Sequence, residues 1–114
     1  MVISQLENEN QIMKQYARFR ELAPDLNQAY DGVKNHVYRD GALSLKVKRL
    51  MALAVALKAG CTGCILAQSS HAMEAGATKE EILETCEVAV SMGGTTAVSE
   101  SLKVIQQMDE RGLL

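Results

Sequence analysis

Apolar residues recur every three or four positions along most of this chain, which is the spacing of helices that bury one face. The first such stripe ends near Glu21 and carries Ile12, Met13, Tyr16, Phe19 and Leu22. Pro24 is tolerated in the first turn of a helix, so a second helix is predicted to begin there and to stop at Gly41.

A third helix is predicted over residues 45–59, with Ser44 as its N-cap and Gly60 as its C-cap. Between Leu50 and Leu57 it is apolar almost all round, which is typical of an element buried on every side. A domain of 114 residues buries only a limited share of its own surface. We therefore expect another copy of the chain to cover part of this helix, and we predict a homo-oligomer.

Further helices complete the pattern. The fourth covers about residues 61–75, and Thr78 with Glu81 has the spacing of a capping box at the start of the fifth. The glycines at positions 93 and 94 close the fifth helix, and a last helix follows them. Its apolar positions are Val98, Leu102, Ile105 and Met108. Because no linker divides the chain, residues 1–114 are predicted to form a single all-α domain, a bundle of five to six helices.

The composition is typical of a helical protein, and it argues against nucleic acid and membrane partners. Hydrophobic residues make up 47% of the chain, with one Pro and no Trp. The net charge of −2 gives no reason to expect a nucleic acid partner. The longest apolar run, residues 50–57, is far shorter than the roughly 20 residues of a membrane span. The first fifteen residues also lack the basic and apolar segments of a signal peptide. We therefore expect a cytoplasmic protein without a membrane partner.

Two of the three cysteines stand three positions apart at the start of the predicted fourth helix, in "GCTGCILAQSSHAMEAGA". The first turn of a helix stabilises an anion, and a CxxC motif there favours thiolate formation and disulfide exchange. A zinc site usually needs two separated pairs of ligands, whereas Cys86, His36 and His71 are each singly placed. Redox chemistry and zinc binding are two interpretations of these cysteines, and packing as a small core residue is the third. We favour core packing for Cys86, which lies on an apolar stripe. For Cys61 and Cys64 in a cytoplasmic chain we favour redox chemistry.

The order of motifs around CxxC resembles the core of the carboxymuconolactone decarboxylase family, in its alkylhydroperoxidase D-like (AhpD-like) branch. The resemblance covers about residues 43–98, including "LMALAVAL", "CTGC", "EAGAT", "EEI" and "SMGGT". It implies an all-helical fold that assembles into homotrimers or homohexamers. It also implies that the motif reduces peroxides or exchanges with a disulfide carrier, without haem, flavin or metal. By resemblance Cys64 faces the peroxide or carrier and Cys61 is its partner, whereas helix-start geometry alone favours the first cysteine as the thiolate.

The peroxidase motif of that family reads E-x11-CxxC-x3-H, and this chain keeps only the cysteines. Arg49 stands at the position of the glutamate and Gln68 at that of the histidine. A guanidinium does not accept a proton at working pH but can hold a thiolate by charge, so Arg49 is either such a stabiliser or a solvated arginine. His71 shares the helix face of Cys64, yet it lies roughly 10 Å along the axis at about 1.5 Å per residue. His71 would need a proton relay to reach Cys64, and a partly exposed helix histidine without a role in the site is the simpler interpretation.

The leading prediction is therefore an enzyme, a thiol–disulfide oxidoreductase of AhpD-like type with peroxiredoxin-type antioxidant activity. One alternative is a lyase that decarboxylates a lactone acid, for which Arg49, His71 and His36 are the only loose candidates and which leaves CxxC without a role. The other alternative is a non-catalytic assembly protein whose cysteines sense oxidation.

Overall fold

The computed structural model of the chain describes residues 4–114, which form five α-helices and no strand. The helices are α1 (Gln5–Leu22), α2 (Pro24–Val37), α3 (Leu45–Ala59), α4 (Thr62–Glu74) and α5 (Lys79–Glu110). The predicted all-α fold is thus confirmed.

The predicted helix caps are also confirmed. The Ser44 hydroxyl accepts the N–H of Val47 at the start of α3, and Gly60 ends that helix in the left-handed conformation at φ 75°. At the start of α5, the Thr78 hydroxyl accepts the Glu81 N–H while the Glu81 carboxylate accepts the Thr78 N–H. This capping box satisfies two backbone donors that a helix start leaves without partners.

The predicted end of the second helix at Gly41 is wrong, because α2 stops at Val37. The Lys48 ammonium group, which belongs to α3, donates to the carbonyl oxygens of Val37 and Arg39, at 2.8 Å each. A side chain from another helix thereby satisfies carbonyl groups that a further turn would otherwise have paired.

The core lies where α3 packs against α4 and α5. Its largest fully buried apolar side chains are Leu53, Leu57, Ile65, Ile82, Val104 and Met108. The opposite side of α3 is open, since Met51 is 51% and Val55 is 68% exposed. Within one chain, therefore, α3 is buried on one side only and not all round.

Helix α5 is not straight. Gly94 interrupts it with φ 61° and ψ −143°, outside helical values, so the sequence-predicted break at the paired glycines is confirmed. The segment after the break, residues 95–110, contributes Val104 and Met108 to the core.

Helix α1 is attached to that last segment through polar contacts. The Glu110 carboxylate accepts the backbone N–H groups of Leu6 and Gln5, at 2.9 and 3.0 Å, and the Ser4 hydroxyl at 3.0 Å. The Leu6 N–H bond is the main reason that the pKa of Glu110 lies below its usual value. These bonds hold α1 in place, and the Ile12 side chain lies beside Gly63 near the start of α4.

Candidate functional site

The two paired cysteines lie where α3 passes into α4 through only two residues. Gly60 ends α3, and Cys61 is the N-cap of α4 with an extended backbone at φ −92° and ψ 100°. Cys64 falls in the first turn of α4, so the two Cα atoms are 5.2 Å apart and the sulfur atoms form a disulfide. The Cys61 sulfur also accepts the Cys64 N–H at 3.2 Å, as the hydroxyl of a Ser or Thr N-cap would.

The two sulfur-bearing residues differ in access to solvent. Cys64 is exposed, whereas Cys61 is half-buried. A Cβ atom added to Gly63 would lie 3.3 Å from a methyl group of Ile12, so α1 covers the motif on that side. A molecule that approaches from solvent therefore meets Cys64 first.

Arg49 and Gln68 lie together, at the positions where the family motif has its glutamate and histidine. The Arg49 guanidinium donates to the Gln68 side-chain oxygen at 3.2 Å and stacks 3.7 Å from the centre of the Tyr38 ring. Gln68 is one helical turn beyond Cys64. No carboxylate of the described residues forms an ion pair with Arg49, so a half-buried cation without an acidic partner contacts the residue one turn beyond Cys64.

His71 is exposed, and its ring contacts a residue of its own helix. Its Nδ1 atom lies 3.4 Å from the Glu74 carboxylate, and no hydrogen bond in residues 4–114 connects its ring to Gln68 or to either cysteine. His36 is exposed on α2, and within residues 4–114 its ring forms no side-chain hydrogen bond. The structure thus brings Arg49 and Gln68 together and leaves the histidines apart from them.

Two further charged residues lie beside the motif, and the sequence pattern did not single them out. The Lys103 ammonium group donates to the Thr62 hydroxyl and to the Glu100 carboxylate, at 2.6 Å each. Thr62 stands between the two cysteines in the chain, 41 residues before Lys103. From sequence alone, Glu100 and Lys103 look like an ordinary ion pair three positions apart on a helix surface. No local sequence pattern predicts the contact of Lys103 with Thr62.

The third cysteine, Cys86, is buried on α5 among the core residues, as predicted. Burial is the main cause that raises the pKa of its thiol. Within residues 4–114, no three His, Cys, Asp or Glu side chains come close enough together to hold a metal ion. Nor does any helix in that part of the chain have the length and apolar character needed to cross a membrane.

Comparisons with known proteins agree with this geometry. A model of the carboxymuconolactone decarboxylase family matches residues 24–107. The crystal structure of a carboxymuconolactone decarboxylase family protein from Legionella pneumophila superimposes with a TM-score of 0.86 at 33% identity, over 93% of this chain and 95% of that one. A second family member, from Thermotoga maritima and with a suggested involvement in antioxidative response, gives a TM-score of 0.67 at 28% identity, over 75% and 90% of the chains. An uncharacterised protein of Cupriavidus necator is 30% identical over 87% of this chain and 88% of its own.

Proposed function

Because the chain belongs to the carboxymuconolactone decarboxylase family, we propose that it is a CxxC thiol–disulfide oxidoreductase of the AhpD-like kind. In this proposal it reduces a hydroperoxide or exchanges with a disulfide carrier, as an antioxidant enzyme in the cytoplasm. The observation that carries the proposal is the disulfide between Cys61 and Cys64 at the start of α4, with Cys64 open to solvent.

The exposure of Cys64 supports its role as the sulfur that meets the peroxide. Its thiolate attacks one oxygen of the hydroperoxide, an S–O bond forms, the O–O bond breaks, and the alcohol leaves with a proton from water. The Cys61 thiol then attacks the resulting sulfenic acid, so that the S–S bond forms and water is released. The product of this step is the disulfide that the structure holds.

A dithiol carrier returns the motif to its reduced form. Its thiolate attacks the exposed Cys64 sulfur, and Cys61 leaves as a thiolate. The N-cap position suits that leaving group, because the Cys64 N–H already points at the Cys61 sulfur from 3.2 Å. The second carrier thiol then releases Cys64. One hydroperoxide and one dithiol are thus converted into an alcohol, water and a carrier disulfide.

Arg49 and Gln68 take the positions of the family's proton relay but cannot perform it in the same way. Neither a guanidinium nor an amide accepts a proton at neutral pH. In the proposal Arg49, whose guanidinium is held by its hydrogen bond to Gln68, instead supplies positive charge that stabilises the Cys64 thiolate. His71 has no part in this arrangement.

Activity with a peroxide tests the proposal directly. The reduced protein is mixed with cumene hydroperoxide and dithiothreitol, and peroxide consumption is measured. We expect turnover by the wild type and by the matched variant Cys86→Ala, and the protein-free rate for Cys64→Ser. Cys61→Ser should keep only the cycle in which dithiothreitol itself reduces the Cys64 sulfenic acid, and it should form no disulfide within the motif. Mass spectrometry after mild oxidation should show a loss of two hydrogens on the peptide that carries both Cys61 and Cys64.

Two outcomes would contradict the proposal. In the first, Cys64→Ser consumes peroxide as fast as the wild type. In the second, the wild type neither consumes peroxide nor exchanges its disulfide with any dithiol protein offered as carrier.

We further propose that the protein acts as a homo-oligomer, a trimer or a hexamer. Four apolar side chains of α2, spaced as one stripe, are exposed in the single chain: Leu26, Tyr30, Val33 and Val37. Met51 and Val55 of α3 are exposed as well, and in the proposal a second copy covers these apolar side chains.

A further inference from the structure

We infer that Lys103 is a positioning residue of the CxxC motif, which stabilises its reduced form and thereby sets how strongly the disulfide oxidises its partners. Glu100 acts in the opposite sense on the same site. The inference rests on the proposed function only in that it concerns the same pair of cysteines, since it predicts a chemical property of the motif and not an activity.

The geometry singles out Lys103 among the lysines. It lies on α5 after the break at Gly94, and its ammonium group reaches across to the Thr62 hydroxyl at 2.6 Å. Thr62 is the first residue of α4 and follows the N-cap Cys61 directly. Lys103 therefore anchors the segment on which both sulfur atoms depend for their positions.

The contact is sheltered from water. The side chains of Lys103 and Glu100 are only 24% and 19% exposed. Charge interactions in such surroundings are screened less than those of fully solvated groups. The ammonium group is held there by two hydrogen bonds, one of them to the Glu100 carboxylate, so the motif meets an ion pair whose positive end contacts Thr62.

The direction of the effect follows from the charges of the two redox states. A disulfide is neutral, whereas a reduced motif can ionise to a thiolate, so a nearby cation favours the reduced form. A motif whose reduced form is stabilised is the stronger oxidant. Lys103 therefore makes the disulfide easier to reduce, and Glu100, a negative charge at the same place, offsets part of this effect.

Lys103 and Arg49 approach the motif from different helices. Arg49 belongs to α3 and contacts Gln68, one turn beyond Cys64. Lys103 belongs to α5 and contacts the residue between the cysteines. The two cations are thus separate, and their substitutions can be compared.

The experiment measures the equilibrium between disulfide and dithiol in the full chain. Each protein is incubated in redox buffers of reduced and oxidised dithiothreitol, trapped by alkylation and quantified by mass spectrometry. We expect Lys103→Met to shift the equilibrium towards the disulfide by about three- to tenfold, or about 15–30 mV more negative for a two-electron couple. Glu100→Gln should shift it in the opposite direction, and Lys103→Arg should restore most of the wild-type value. The control Lys14→Met removes an exposed lysine of α1 and should leave the equilibrium unchanged.

The opposite signs distinguish this role from a merely structural one, because loss of local packing would move both variants in the same direction. The inference is overturned if Lys103→Met and Glu100→Gln shift the equilibrium alike, or if both match Lys14→Met. The inference fails while the proposed function stands if the wild type turns over peroxide and Lys103→Met leaves the equilibrium unchanged. If the wild type shows no turnover and the equilibrium shifts as expected, the proposed function fails and the role of Lys103 stands.

Discussion

Arg49 differs from its basic neighbours in what it contacts. Lys46 pairs with Glu81 at 2.9 Å, and Lys48 is bound to backbone carbonyls at the end of α2. Arg49 instead has the Tyr38 ring against its planar face and Gln68 at one edge. Stacking holds the guanidinium in one orientation at little cost in entropy, because its fork of donors is rigid. These contacts support the proposed role of Arg49 as a stabiliser, which stays a prediction.

We predict that Arg49→Ala slows the alkylation of the reduced motif at neutral pH by about three- to tenfold, because a nearby positive charge increases the thiolate fraction. His71→Ala should leave the rate nearly unchanged, since its ring faces Glu74. The measurement is the rate of iodoacetamide labelling as a function of pH for the wild type and both variants. The prediction is wrong if His71→Ala abolishes labelling while Arg49→Ala has no effect, and a histidine relay would then be the better account.

At the scale of the helices, the paired glycines of α5 decide which residues reach the site. Gly94 has a backbone conformation that side-chain-bearing residues rarely adopt, with open space where a Cβ atom would lie. Gly93 is constrained differently, because a Cβ atom there would lie 2.9 Å from that of Ala97 and 3.1 Å from the Lys58 side chain. The bend that they permit directs the second part of α5 onto α4, and Lys103 contacts Thr62 as a result.

Gly94→Ala is predicted to lower the free energy of unfolding by about 1–3 kcal/mol, since it forces a side chain into a strained backbone conformation. The matched control is Gly32→Ala, in the middle of α2 with nothing within 4 Å of the added Cβ. There the loss of backbone freedom in the unfolded chain should stabilise the protein by about 0.5–1 kcal/mol. Urea unfolding at equal protein concentration compares the two, and equal tolerance of both substitutions would contradict the account of the bend.

At the scale of the whole molecule, many large apolar side chains stay exposed because no helix of the same chain covers them. Among the helices, α2 packs closely beside α1 alone, through contacts that include the ion pair of Arg20 with Asp31. This contact holds the pKa of the Asp31 carboxyl below its usual value. The apolar stripe of α2 remains exposed beside this contact. Its positions 26, 30, 33 and 37 follow the alternating four- and three-residue spacing by which helices of separate chains pack together.

A single negative charge on that stripe is predicted to break the assembly. Val33 is 57% exposed, and burying Glu in its place at an interface would require desolvation of an unpaired charge. Val33→Glu should therefore reduce the mass measured by light scattering towards the 12.4 kDa of one chain, while the wild type stays larger. Asn35→Glu adds the same charge on the opposite flank of α2 and should leave the mass unchanged. A wild type that is already monomeric would contradict the oligomer.

Much of the helical framework was predictable because helix ends depend on residues within one turn of each other. Ser44, Gly60, the capping box at Thr78 and the break at Gly94 all lie where local chemistry places them. The placement of CxxC at a helix start is of the same kind. These features need no knowledge of how the helices pack.

The surroundings of the disulfide depend instead on contacts between distant parts of the chain. Arg49 meets Gln68 across 19 residues and Lys103 meets Thr62 across 41 residues. The early end of α2 arises similarly, from a lysine that belongs to α3. Periodicity identifies which face of a helix is apolar, but not the neighbour that the face or its flanking charges will meet. Packing of three helices around α4 therefore established which cations flank the cysteines and which sulfur remains open to solvent.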